Sequence, residues 1–122
     1  MKNNILVIED TSSIREEICD ILRMEGFNVT EAENGQIGLN IAKQTTPDLI
    51  ITDVLMPEMG GFELFDSLAD NIKTQKIPVV FLSAKANKET VQKGKKLTGG
   101  DYIIKPVSPD TLLNVVYNKI RK

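Results

Sequence analysis

Histidine is absent from all 122 residues. That absence excludes the commonest transition-metal ligand, the commonest general base and any phosphohistidine carried by this chain. The remaining chemistry falls to carboxylates, hydroxyls and lysines, a donor set that favours hard cations such as Mg²⁺ over zinc or copper. Cysteine occurs once, at Cys19, so no internal disulfide can form. Its place among Ile18, Ile21 and Leu22 reads as a partly buried helix residue and not as a reactive thiol. No apolar stretch is long enough to cross a bilayer and no apolar h-region follows Met1, so insertion and export both lack support and the expected location is the cytoplasm. A basic excess is missing too. The net charge of -2 and pI near 5.2 create no field that would draw nucleic acid or an anionic membrane.

What is present is an ordinary globular balance, 41% hydrophobic and 26% charged, which suits one compact domain over residues 1–122 with no effector domain. Ile5-Leu6-Val7-Ile8 has strand length and β-branched content and ends at Glu9-Asp10. From Thr11 to Glu25, Ile14, Ile18, Ile21 and Leu22 recur at helical spacing; Ser13 with Glu16 fits a capping box, and Gly26 supplies a stop. Phe27 to Ala32 alternates like a half-exposed edge strand, and a helix from about Gly35 to Lys43 carries Ile37, Leu39 and Ile41. A third strand, Asp48 to Thr52, ends at Asp53. The loop Met56-Pro57-Glu58-Met59-Gly60-Gly61 then leads to a helix with Phe62, Leu64, Phe65 and Leu68. Val79 to Leu82 forms a fourth strand, and the polar stretch Lys85 to Lys96, anchored by Val91 and weakened by Gly94, a loosely packed helix. Tyr102-Ile103-Ile104 ends at Lys105-Pro106. Ser108 as N-cap and Pro109 at the first helical position open a last helix with Leu112, Leu113, Val116 and Ile120.

Five strands alternating with five helices imply an α/β fold with a parallel sheet covered on both faces. Ligands of such sheets bind beyond the carboxyl ends of the strands near a switch point. Glu9, Asp10, Asp53, Ser83 and Lys105 all stand at strand ends and are expected to converge. Three gathered carboxylates repel one another, which raises a pKa or recruits a hard divalent cation. Mg²⁺ suits one or two carboxylates plus a phosphoryl oxygen, with Asp10 and Asp53 as candidate direct ligands. A carboxylate can itself be the nucleophile in phosphoryl transfer when metal and cation neutralise the transferred group. Lys105 is the available cation, and the Ser83 hydroxyl a hydrogen-bond donor to a second phosphoryl oxygen.

These residues resemble the receiver-domain family of two-component signalling, and the resemblance runs from Ile5 to the final helix. Glu9-Asp10 is similar to the family's acidic pair and Asp53-Val54-Leu55-Met56-Pro57-Glu58-Met59-Gly60-Gly61 to its phosphoacceptor loop. Ser83-Ala84 and Lys105-Pro106 are similar to its hydroxyl and lysine motifs. The resemblance implies a flavodoxin-like doubly wound sheet of order 2-1-3-4-5 and Asp53 as phosphoacceptor. It further implies Mg²⁺, with Mn²⁺ as substitute, held by Asp10, Asp53 and the Leu55 backbone carbonyl, with Glu9 acting through a metal-bound water. Tyr102 takes the position of the aromatic switch, which turns inward when Ser83 shifts toward the phosphoryl group, and Lys105-Pro106 that of a cis bond. The implied partners are a sensor histidine kinase or phosphotransfer protein and a downstream protein or covalently linked output domain, in a monomer or a phosphorylation-linked homodimer. Output is expected from the face of helix four, strand five and helix five. The chain departs from the commoner pattern with Glu9 for aspartate, Ser83 for threonine and Val107 for phenylalanine.

On this reading the chain is a switch and not a turnover enzyme. An aspartate-nucleophile phosphohydrolase would want a second acid two residues after Asp53, where Leu55 stands. A nucleotide-binding module would want a glycine-rich cradle after strand one and fewer acids. A degenerate receiver that binds partners without phosphorylation would not need the complete residue set. Lys88, Lys93, Lys95 and Lys96 are read as a solvated face, and Asp20, Asp48, Asp66, Asp70, Asp101 and Asp110 as surface, turn or cap residues. The resemblance places Leu55 and Lys85, two residues after Asp53 and Ser83, at the family's variable positions that flank the route of the hydrolytic water. Phosphoryl lifetime is therefore expected to change in Leu55→Asn and Lys85→Glu; dephosphorylation rates equal to the parent's in both variants would defeat the idea.

Overall fold

The computed structural model describes residues 3–84, 86–99 and 101–120. Along the chain run β1 (Asn4–Ile8), α1 (Ser12–Met24), β2 (Asn28–Ala32), α2 (Gly35–Thr45), β3 (Leu49–Thr52), α3 (Gly61–Ala69), β4 (Val79–Ser83), α4 (Lys88–Thr98), β5 (Tyr102–Ile104) and α5 (Pro109–Ile120). The strand pairings are all parallel and the order is β2-β1-β3-β4-β5, the flavodoxin-like arrangement.

Successive side chains of a strand point to opposite faces, so each strand feeds two cores. Ile5, Val7, Leu49, Ile51, Val80, Leu82 and Ile103 meet Ile18 and Leu22 of α1 and Leu112 and Val116 of α5. Leu6, Ile8, Ile50, Val79, Phe81 and Tyr102 turn the other way, onto Leu39 and Ala42 of α2 and Leu64 and Leu68 of α3. The edge strand β2 alternates exposed and partly buried positions, whereas β3 and β4 are buried throughout. That contrast is the expected signature of a rim strand beside strands covered on both faces.

Several local expectations are corrected. α1 begins at Ser12 with Thr11 at the N-cap and no side-chain cap bond, so Ser13 and Glu16 do not form the expected box. The Thr11 N–H is taken instead by Glu9 Oε2 at 3.1 Å. In α2 the buried face is Gly35, Gly38, Leu39 and Ala42, and Ile37 is exposed. Leu39, two residues from both Ile37 and Ile41, points to the opposite side of the helix from that pair, so the three cannot form one face. Glycine faces the sheet because a Cβ on Gly38 would lie 2.3 Å from Ile8 Cδ1. Asn34 caps this helix, its Oδ1 accepting the Ile37 N–H at 2.8 Å. Cys19 is fully buried, and that burial pushes its thiol up to about 11, which suits inert packing.

α4 runs later than expected, and Gly94 is its one fully buried residue among those described; Lys85 lies outside the described residues. α5 opens as read, with Pro109 first and Ser108 Oγ accepting the Thr111 N–H at 3.2 Å. The Lys105-Pro106 bond is cis. Since Leu112 is fully buried in the α1–α5 core and Ile72 is 85% exposed, Leu112→Ala is expected to cost about 2–5 kcal/mol in urea denaturation. Ile72→Ala should stay within about 0.5 kcal/mol of the parent, and equal effects would contradict this assignment of the core.

Candidate functional site

Strand order changes direction between β1 and β3, where a parallel sheet opens a crevice beyond its carboxyl ends. The backbone ladder continues past the strand ends into that crevice. The Glu9 N–H donates to the Ala32 carbonyl at 3.0 Å, the Asp53 N–H to Ile8 at 3.1 Å and the Lys105 N–H to Ser83 at 2.9 Å. The hydrogen bonds that register the sheet thus also fix where these side chains start.

The carboxylates of Glu9, Asp10 and Asp53 converge there, with one oxygen from each within 4.8 Å of the others. Glu9 and Asp53 are buried and Asp10 is exposed. Lys105 Nζ lies 2.5 Å from Glu9 Oε1 and 2.9 Å from Asp53 Oδ2. The second Glu9 oxygen accepts the Thr11 N–H, and Asp53 Oδ1 accepts the Leu55 N–H at 3.0 Å. One ammonium thus serves two buried carboxylates, while Asp10 opens the cluster to solvent. These oxygen donors with surplus negative charge fit a hard divalent cation.

Burial raises the Glu9 carboxyl above its ordinary value; the bonds from Lys105 and Thr11 offset this in part, and the charge of Asp53 adds to it. Burial also works against the Lys105 ammonium, but the Asp53 and Glu9 carboxylates outweigh it and hold Lys105 above its ordinary value. A group that binds its proton more tightly when folded contributes stability that is lost as pH rises through its folded pKa. For Glu9 that loss begins above about 4.5, whereas for Lys105 the contribution persists at neutral pH and fades only above 10.5.

Ser83, the last residue of β4, is fully buried and shares a hydrogen bond with the Tyr102 hydroxyl. The Tyr102 ring points inward, 9% exposed, with its centroid 6.4 Å from that of Phe81. Leu55 is half exposed at the rim, beside a cleft of 370 Å³ that also involves Phe62, Thr90 and Lys93. The Lys93 ammonium lies 4.8 Å from the Phe62 ring centroid, while Asp48 accepts the Asn4 N–H and Asp101 pairs with Lys119.

Two supporting residues escape a reading based on apolar spacing and charged strand ends. Arg15 Nη1 donates to the Glu9 carbonyl at 2.7 Å and its Nε to Glu31 Oε1 at 3.2 Å, tying the Glu9-Asp10 peptide to α1 and β2. Gly61 lets α3 begin directly under the β3 terminus, since a Cβ there would lie 2.3 Å from the Asp53 carbonyl oxygen. The signal for Arg15 is its place one turn into α1, on the side facing the strand; for Gly61 it is the glycine pair before an apolar helix.

Fold and site together define a doubly wound α/β protein with an acidic pocket and a lysine at its switch point. The chain belongs to the response regulator receiver domain family, whose model matches residues 5–117. It is 38% identical to histidine kinase P4 of Formosa agariphila, a match covering 98% of this chain and 9% of that protein. With the phosphate regulon transcriptional regulatory protein PhoB of Escherichia coli K12 the identity is 37%, over 93% of this chain and 49% of PhoB. The chain therefore spans about half or less of the length of these relatives. Among solved structures, the chemotaxis protein CheY4 of Vibrio cholerae is similar with a TM-score of 0.89 at 30% identity, over 97% of this chain and 98% of that one.

Lys105 is the counter-charge to two buried carboxylates, so Lys105→Met is expected to destabilise metal-free protein at pH 7 by about 2–3 kcal/mol in urea denaturation. The deficit should shrink toward pH 4 as the acids take up protons, and on addition of Mg²⁺. Unaltered stability at pH 7 would show that the lysine does not compensate this cluster.

Proposed function

We propose that this chain is a phosphorylation-dependent signalling switch in a two-component phosphorelay, accepting a phosphoryl group on Asp53 from a sensor histidine kinase or a phosphotransfer protein. The observation that supports this most is the setting of Asp53. It is buried at the switch point, one oxygen on Lys105 and the other on the Leu55 N–H, inside a cluster of three carboxylates. An Asp53 carboxylate oxygen attacks phosphorus, the new O–P bond forms as the donor's N–P bond breaks, and the electron pair leaves with the histidine nitrogen. The chain itself has no histidine, so the donor is a partner.

Lys105 stays beside the transferred group as its fixed cation, and the Ser83 hydroxyl donates to a second phosphoryl oxygen. Asp10, Asp53 and the Leu55 carbonyl would hold Mg²⁺, or Mn²⁺ in its place, with Glu9 acting through a water. Mg²⁺ supplies the positive charge that a single lysine cannot. A groove of 320 Å³ beside Lys105, lined in part by Ile14, Ile18, Pro106 and Val107, offers apolar surface to a protein donor at the edge of the site.

The chain works as a switch and not as a turnover enzyme. Its output is a population shift in the α4–β5–α5 face, biased by Ser83 and Tyr102 and read by a downstream protein or a covalently linked output domain. This takes place in the cytoplasm, in a monomer or a phosphorylation-linked homodimer. No described helix is long and apolar enough to cross a membrane.

Intact mass after incubation with acetyl phosphate and Mg²⁺ tests the reading directly. One phosphoryl adduct is expected, dependent on the metal and missing in Asp53→Asn. Failure of acetyl phosphate to give an adduct, together with no response to beryllofluoride and Mg²⁺, would remove Asp53 as the acceptor.

A further inference from the structure

α4 brings a glycine against the sheet: Gly94 is its one buried residue among those described, between the partly buried Val91 and Leu97. Glycine inside a helix is unfavourable relative to alanine, so its presence here calls for a steric reason. A Cβ on Gly94 would lie 2.3 Å from Cδ2 and 2.8 Å from Cε2 of Tyr102, and 3.3 Å from Cδ2 of Phe81. The Tyr102 ring cannot yield by bending, because those two atoms belong to one rigid plane. Phe81 packs beside it, itself edge-on to Phe62 at 5.0 Å, and the Tyr102 hydroxyl is bonded to Ser83. An inward Tyr102 and a side chain at position 94 therefore exclude one another while α4 keeps its place. The contact differs from that of Gly38, whose imagined Cβ meets the flexible end of Ile8.

We propose that Gly94 is a positioning residue whose bare backbone is the seat for the inward Tyr102 ring, coupling the placement of α4 to the state of Ser83 and Asp53. The inference rests on the reading of Tyr102 as the aromatic that answers phosphorylation. Whatever bars the ring from its seat weakens the state that needs it there, by the same factor in either direction. The seat thus links the phosphoryl pocket to a helix of the output face through one ring.

Mg²⁺ with beryllofluoride is titrated into the full chain as wild type, Gly94→Ala, Tyr102→Ala and the double variant. Circular dichroism reports folding, and carbon-13 tyrosine NMR reports the ring. Gly94→Ala is expected to raise the beryllofluoride half-saturation by about fivefold or more and to move the Tyr102 resonance to that of a solvated ring. In the Tyr102→Ala background the same substitution should change half-saturation by less than about twofold. Unchanged binding in Gly94→Ala, or an equal loss in both backgrounds, overturns the proposal. Should Gly94→Ala fail to fold, a folded double variant upholds the steric conflict, and an unfolded one overturns it. If wild type takes up no beryllofluoride, the phosphoacceptor reading fails on its own. The NMR comparison still decides the seat: a displaced ring in Gly94→Ala supports it, and an undisturbed ring overturns it.

Discussion

The Lys105 ammonium between Glu9 and Asp53 is the interaction on which the rest of the site depends. Two buried carboxylates cannot remain charged without nearby compensation, and Lys105 provides it from a third strand end. The consequences reach beyond the ion pairs. With one oxygen on Lys105, Glu9 offers its other to the N–H at the start of α1, and Asp53 likewise offers its second oxygen to the loop that follows β3. Two connections are thereby oriented by the same charges that form the pocket. Asp10, exposed beside them, leaves the cluster short of positive charge and open on the side from which a cation or a donor would arrive.

Close approach of helices to the sheet gives the site its precision. Gly38 brings α2 against Ile8, the residue before Glu9, and Gly61 brings α3 against the carbonyl of Asp53 itself. Arg15 adds a hydrogen bond to the Glu9 carbonyl from the opposite face. The backbone that carries the acids is thus gripped from both layers, whereas the exposed Asp10 side chain and the half-exposed Leu55 remain at the rim. Around the outer part of the site, the turn at Glu58 holds a φ of 67°. That is a left-handed value uncommon for a residue with a Cβ, and it sharpens the bend between Pro57 and Met59.

The fold was largely legible because its strands are dense apolar runs ending in charge, and because turn and cap residues separate them. Ile5 to Ile8, Tyr102 to Ile104 and the Ser108-Pro109 opening of α5 all read directly. So did the convergence of Glu9, Asp10, Asp53 and Lys105, since strand ends on one edge of a parallel sheet have nowhere else to meet. What failed was reading that counts side chains. α2 turns glycines to the sheet, which no hydrophobic periodicity reveals, and the carboxylate that bonds near the start of α1 comes from Glu9 and not from Glu16. The roles of Arg15 and Gly94 were missed for a related reason: one acts through a backbone carbonyl, and the other, noted only as weakening its helix, through the absence of a side chain.

Charge and packing meet on β5, and the proposed influence of the pocket on the helix beside it depends on that meeting. Tyr102 lies in the core beneath α4 while Lys105 stands just beyond the strand in the acidic cluster. The Lys105 N–H is bonded to the Ser83 carbonyl, and the Ser83 side chain to the Tyr102 hydroxyl. In the proposed switch, a phosphoryl group on Asp53 replaces one negative charge by about two and adds oxygens for which Lys105, already beside Asp53, and Ser83 are the proposed partners. Neither residue can answer without altering a bond shared with the other strand or with the ring. Because the ring is rigid and its seat is only as wide as a glycine allows, the response is confined to discrete arrangements and not to a graded drift. On that proposal an electrostatic event at Asp53 would be converted into a packing choice at α4, the helix with the fewest buried anchors to resist it.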